Sequence, residues 1–308
     1  MTDPLASEPE LLNLVLRRAD LMQAAQSGSV EASTDSENAD ELLQLTKTLK
    51  ARLKSAPMAV RRLTLDEPGD LLERLATAEP VHPFATTSPE GHQADLADRF
   101  AADRRCFVLE HPLLVGHPLN VVWVALLDCA PTSISQILDP AREVLDPARA
   151  TTAVFYSIWN VEPGLSGIPG GASLLTGVLD VLSAEFAGLT QMLTLSPIPG
   201  FRQWRSLEQT TNDTPEELLR DCARYLCELN DRGRPIDPVA RFHLGNGARL
   251  IRINLEADLS AQRSEQSFSM MANYSYEPED RPANQAALRR GEVSVSEQVR
   301  QLLAVSDA

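Results

Sequence analysis

Long apolar runs are missing from this chain of 308 residues. Nothing in it approaches the ~20 consecutive apolar residues of a membrane-spanning helix, so no membrane partner is expected. Basic residues are scarce beside acidic ones, 28 Lys and Arg against 43 Asp and Glu. The resulting net charge of -15 argues against nucleic-acid binding, which runs on cations. Only five histidines and four cysteines occur, without CxxC or HExxH spacing, so no metal site is expected. Cys106, Cys129, Cys222 and Cys227 read instead as reduced thiols of a cytoplasmic protein. The absence of GxxxxGK[ST] disfavours a nucleotide hydrolase, and the absence of GxSxG disfavours a hydrolase elbow. The stretch MTDPLASEPELL has early acids and no basic run, unlike a secretory signal or a transit peptide. Ser306-Asp307-Ala308 is not the peroxisomal Ser-Lys-Leu, and the cytoplasm is the expected location.

What is present is globular in composition, 43% hydrophobic and 23% charged. PELLNLVLRRADLMQAA predicts an amphipathic helix, and the small, acidic SGSVEASTDSENAD reads as a flexible linker. Two more helices follow, ADELLQLTKTLKARLKS and DEPGDLLERLATAE, which close an N-terminal region of residues 1–80. Their apolar faces cannot be covered within so few residues. They must pack on the remainder of the chain or on a partner copy, which allows a homo-oligomer.

The texture changes over residues 81–308. CFVLEHP, LNVVWVALLD and TTAVFYSIWNV predict strands, and SISQILDPAREVL a short helix. A glycine-rich turn then leads into the helix ASLLTGVLDVLSAEF. QMLTLSPIPGF predicts a strand that ends at Ser196, because Pro197 and Pro199 oppose further pairing. TPEELLRDCARYLCELN predicts a helix capped by Thr214, and ARLIRINLEA a further strand. VSEQVRQLLAV predicts a closing helix. Strands and helices mixed in this order indicate α/β or α+β.

Three constellations could carry chemistry. Gly164-Leu-Ser-Gly167-Ile-Pro-Gly170-Gly171-Ala172 links a strand to a helix. Glycines admit close approach of the backbone, and a helix start offers free N–H groups, so the turn could cradle a phosphate or be an ordinary loop. In DPVARFHLGNG, Asp237 caps a short helix and Gly245 supplies a left-handed stop, which places His243 in the last turn. There the helix carbonyls favour an imidazolium that could donate a proton, although a capping role needs no chemistry. The third is Ser196 itself, at a strand end where sheets commonly present ligand-contacting groups.

Together the stretches AEPVHPF, DRRCFVLEHPLLVGHPLNVVWVALL, ATTAVFYSI, LSPIPGF, DPVARFHLGNGARLIRIN and MMANYSYEPED resemble the malonyl-CoA decarboxylase family. The resemblance implies an α+β fold: an acetyltransferase-like mixed central sheet flanked by helices, with a short N-terminal helical region. It implies conversion of malonyl-CoA to acetyl-CoA and CO2 through a thioester enolate. No cofactor is implied beyond the CoA moiety of the substrate. CoA's anionic diphosphate would rest on Ser166, Gly167, Ile168, Pro169, Gly170, Gly171 and Ala172, with the pantetheine between the strands FYSIW and LTLSPI. Ser196 and His243 would be the catalytic pair. His243 would protonate the enolate, and Ser196 would hold the carboxylate or the thioester. Ser157, Asn273, Tyr274 and Tyr276 are further pocket candidates. Family members usually carry a larger N-terminal helical domain than residues 1–80. Two other functions fit the same fold: a decarboxylase or acyltransferase acting on malonyl-acyl carrier protein, or a non-catalytic acyl-CoA-binding protein. Carrier proteins are themselves acidic and would be repelled by this chain.

Overall fold

The computed structural model describes residues 8–27, 32–84, 88–168, 170–208 and 214–304. The architecture is α+β, with a mixed sheet of eight strands and flanking helices. Among the described residues no helix is long and apolar enough to cross a membrane.

The chain divides into two compact units. The first comprises Met1–Trp123 and Ser157–Leu182. It opens with helices α1 (Glu8–Ser27) and α2 (Ala32–Arg52), followed by β1 (Ala59–Leu63), α3 (Gly69–Ala78), α4 (Pro89–Arg99) and β2 (Arg104–Glu110). The second comprises Val124–Tyr156 and Ser183–Ala308. Strands β3 (Asn120–Leu127) and β4 (Thr152–Asn160) run through both units, with the one-turn α5 (Ser135–Leu138) between them. Helix α6 (Gly171–Glu185) belongs mainly to the first unit. The second continues with β5 (Gln191–Thr194), β6 (Ser196–Pro197), α7 (Phe201–Leu207), α8 (Pro215–Cys227), α9 (Pro238–Gly245), β7 (Arg249–Asn254), α10 (Ala261–Ser267), β8 (Met271–Ser275), α11 (Arg281–Arg289) and α12 (Glu297–Ala304). The strand order is β1-β2-β3-β4-β5-β8-β6, and β7 also pairs with β8.

Local sequence accounts for most of these elements. NVVWVALL is buried along almost its whole length, as a strand covered on both faces must be. In α6 the stripe Leu174, Leu175, Val178, Leu179 and Leu182 is buried at helical spacing, and each such side chain contributes ~1.5–3 kcal/mol. Gly177 of that helix is pressed against Val60, where a Cβ would come within 2.6 Å of Cγ2. Leu11, Val15, Leu45, Leu49 and Leu53 of the first two helices are buried within the chain itself.

Four local expectations are corrected. The linker read over residues 27–40 is largely helical, because α2 begins at Ala32; residues 28–31 lie outside the described ones. The helix read at SISQILDPAREVL stops at Leu138, since Pro140 holds Asp139 extended at φ -66°, ψ 118°. Pairing does not end at Ser196: Ser196 and Pro197 pair antiparallel with Ala272 and Met271. The left-handed residue after α9 is Gly247, at φ +85°, and not Gly245. A Cβ on Gly247 would meet the Arg281 carbonyl at 2.7 Å.

Candidate active site

The register of β8 decides which side chains meet. Leu193 pairs with Ser275, Ser196 with Ala272 and Pro197 with Met271, so β5 and β6 meet β8 in one antiparallel register. Paired residues share a face, and side chains alternate with a period of two. Thr194 and Ser196 on one strand, and Tyr274 and Tyr276 on the other, therefore project to the same side. The N–H of Tyr274 donates to Thr194 Oγ1 at 3.2 Å, and that of Tyr276 to the Met192 carbonyl at 2.8 Å.

Helix α9 brings His243 to that face. Asp237 caps the helix, Oδ1 accepting from the N–H groups of Val239 and Ala240 at 2.9 and 2.7 Å. His243 is in the last turn, 4% exposed. Its ring stacks on Tyr274 with centroids 4.7 Å apart at 26°. Nε2 is 3.0 Å from Ser196 Oγ, and Nδ1 is 2.8 Å from Tyr276 Oη. Ser196 Oγ donates in turn to Thr194 Oγ1 at 2.8 Å. With the serine proton committed to Thr194, the network assigns the imidazole proton to Nε2, and Nδ1 accepts from the Tyr276 hydroxyl. The result is a one-way chain of donors: Tyr276 to His243 to Ser196 to Thr194.

The expected imidazolium is not what the site holds. Burial lowers His243 from its ordinary 6.5 to about 3, so the ring is neutral at physiological pH. The helix end works the other way, but its effect reaches only about 2 kcal/mol in partly buried cases. Among the described residues, hydroxyls and no carboxylate face the two ring nitrogens. Burial likewise raises the phenols of Tyr276 and Tyr274, which stay protonated. Tyr274 Oη is buried without a hydrogen-bond partner among the described residues.

The other candidates separate. Asn273 braces the ladder: Nδ2 donates to the Thr194 carbonyl at 2.7 Å, and Oδ1 accepts from Asn254 and Arg252 at 2.8 and 3.0 Å. Ser157 belongs to the first unit, where its hydroxyl is bound to the two oxygens of Glu79 at 2.8 and 2.9 Å. Burial raises the Glu79 carboxyl, opposed by Arg99, Ser157 and the N–H groups of His82 and Val81. Arg99 Nη1 lies 3.8 Å from Glu79, and its guanidinium carbon 4.2 Å from the Phe84 ring centroid.

The glycine-rich turn also lies in the first unit. Pro163–Leu165 form one 3-10 turn and Ser166 caps it. Gly167 is exposed at φ +72°, a conformation glycine adopts freely, and Ile168 is buried. Pro169 lies outside the described residues. Gly170 is buried against Asn120, where a Cβ would fall 2.5 Å from Oδ1. Gly171 and Ala172 open α6, so their N–H groups have no partner within the helix.

Sequence reasoning missed Thr194. The alternation in Leu193-Thr194-Leu195-Ser196 was the available signal, since it puts the threonine on the face of the serine.

Comparison with known proteins follows the same lines. The model of the malonyl-CoA decarboxylase C-terminal domain matches residues 57–231 and 208–308. The mitochondrial malonyl-CoA decarboxylase of Anser anser anser is 30% identical over 337 residues, covering 93% of this chain and 65% of that protein. The chain thus spans just under two thirds of that relative's length. The crystal structure of malonyl-CoA decarboxylase from Rhodopseudomonas palustris superposes with a TM-score of 0.84 at 31% identity, over 94% of this chain and 75% of that one. The loading GNATL domain of CurA from Lyngbya majuscula shares the fold, with a TM-score of 0.50 at 15% identity over 72% of this chain and 98% of that domain.

Proposed function

This chain belongs to the malonyl-CoA decarboxylase family, and from that premise we propose that it converts malonyl-CoA to acetyl-CoA and CO2, with Ser196 and His243 at the reacting thioester. The observation that carries the reading is a buried neutral imidazole, aimed at Ser196 Oγ through one nitrogen and held by Tyr276 through the other.

Loss of CO2 breaks the bond between the α-carbon and the carboxylate, and the electron pair moves into the thioester as an enolate. Negative charge gathers on the thioester oxygen, where a fixed donor in a dry site lowers the barrier. On binding, Ser196 turns its hydroxyl proton from Thr194 to the malonyl carboxylate, which holds that group perpendicular to the thioester plane. The enolate is a stronger base than deprotonated imidazole, so a neutral ring is acid enough. The Nε2 proton forms the new C–H bond, Nδ1 takes the Tyr276 proton, and solvent refills the phenol. CoA's diphosphate rests on the N–H groups of the turn from Ser166 into the start of α6. The reaction as proposed draws on no group beyond the substrate's own CoA. Its proposed setting is the cytoplasm, in keeping with four free thiols.

The test is the full chain incubated with malonyl-CoA in D2O, following CO2 release and the isotope content of the product. CO2 released together with singly deuterated acetyl-CoA is the expected result. Turnover of malonyl-acyl carrier protein alone would move the substrate to the carrier-bound thioester. Binding of both without CO2 would make the chain a non-catalytic acyl-CoA binder.

A further inference from the structure

Arg18 of α1 reaches across to the glycine-rich turn. It is 6% exposed. Nη1 donates to the carbonyls of Gly164 and Ser166 at 2.6 and 2.9 Å, and Nε donates to Thr46 Oγ1 at 2.9 Å. Thr46 Oγ1 in turn donates to the Leu42 carbonyl at 2.7 Å, which fixes the bracket to α2. The helix backbone touches the turn as well. A Cβ on Gly164 would lie 1.9 Å from the Val15 carbonyl, so only glycine fits there.

We infer that Arg18 is a positioning residue for the substrate's diphosphate, acting through the backbone of the turn; this rests on the CoA reading above. Two physical arguments support it. A trans peptide sets N–H opposite C=O. Drawing the Ser166 carbonyl toward Arg18 therefore turns the Gly167 N–H away from α1, and Gly167 is exposed there with the positive φ that only glycine takes without strain. That N–H has no acceptor among the described residues. The second argument is charge. Carbonyl oxygens beside a diphosphate would repel it, and a guanidinium bound to two of them cancels that repulsion. The Arg18 side chain is bound by neutral oxygens, and burial lowers its pKa without a carboxylate raising it. Its positive charge is therefore left for the turn, in a protein whose net charge is -15. A buried charge is also screened by salt far less than a surface one.

The experiment compares Arg18→Met, Arg18→Lys and Thr46→Val in the full chain, using malonyl-CoA and malonyl-pantetheine, which lacks the diphosphate. Arg18→Met should raise KM for malonyl-CoA about tenfold or more, the scale of a lost charge-assisted hydrogen bond. Its kcat, and both constants for malonyl-pantetheine, should stay within about twofold. Arg18→Lys should recover part of the loss, and Thr46→Val should show a smaller loss of the same selectivity if Arg18→Met fails to fold. Calorimetric titration with CoA and with pantetheine gives a readout that needs no turnover, and Kd should rise for CoA alone. An equal loss for both substrates, or unchanged affinity for CoA in folded Arg18→Met, overturns the inference. Selective loss of CoA binding in a chain that releases no CO2 would instead leave this inference standing and remove the decarboxylase reading.

Discussion

The groups hydrogen-bonded to His243 among the described residues carry no formal charge, whereas around Glu79 a carboxyl and a guanidinium are sealed in together. Both clusters are nearly dry, with His243 and Glu79 each 4% exposed. The imidazole meets burial by giving up its proton, and hydroxyls then satisfy both nitrogens. Glu79 instead collects donors: Ser157, two backbone N–H groups and the more distant Arg99. The lesson is that a buried acid–base group that moves a proton, the role proposed for His243, is best surrounded by partners that change donor and acceptor roles cheaply. A cluster meant to stay put is better locked by charge.

The comparison breaks first at His243. Replacing it with alanine should lower kcat by ~10²–10⁴, the usual cost of losing a general acid, while Kd for CoA changes less than about twofold. The wild-type rate should show no step near pH 6.5, because the ring titrates at about 3. A kcat profile falling above pH 6.5 would restore the imidazolium. At Glu79 the expected loss is in folding. Glu79→Ala should cost ~3–5 kcal/mol by denaturant titration, the range for breaking a buried pair, with kcat per folded molecule unchanged.

The two clusters should also respond to acid with opposite signs. His243 has its pKa lowered by folding, so the unfolded chain takes up its proton first. That stability is present above pH 6.5 and is lost as pH falls toward about 3, with a slope of about 1.4 kcal/mol per pH unit. His243→Asn should remove that slope. Glu79 has its carboxyl raised, so its contribution is full below the unfolded carboxylate range and declines as pH rises through the folded value. Melting curves from pH 3 to 8 on Glu79→Gln and His243→Asn separate the two. The smallest effect belongs to Ser157→Ala, at about 1 kcal/mol for one hydrogen bond, with KM for malonyl-CoA unmoved. A large rise in that KM would instead support Ser157 as a pocket residue.

Much of the fold was legible because its signals are local. Asp237 followed by Pro238 announces α9, and the β-branched run of β4 announces a strand. The strand β1 was not legible, since AVRRL carries two arginines in the middle of its five residues; Arg61 is held there by Glu67 and Glu110. Ser196 and His243 stood out in unusual strings. The charge state of His243 did not, because the helix end is a local influence, whereas the burial that overrules it comes from β8, some 30 residues later in the chain. Gly164 was read for closeness to a ligand, but what approaches it is the Val15 carbonyl. Only the folded chain brings α1 there.

The register between β8 and the strand carrying Ser196 has a consequence for quality control. Slipping that pairing by a single residue inverts the side-chain alternation. Leu193 and Leu195 would then stand where Thr194 and Ser196 now meet the imidazole. A misregistered molecule would keep a plausible hydrophobic sheet yet hold no serine hydroxyl against the imidazole. With the proposed chemistry at Ser196 and His243, specific activity counts correctly threaded molecules, and reports folding fidelity at this seam more sharply than helix content or melting temperature can.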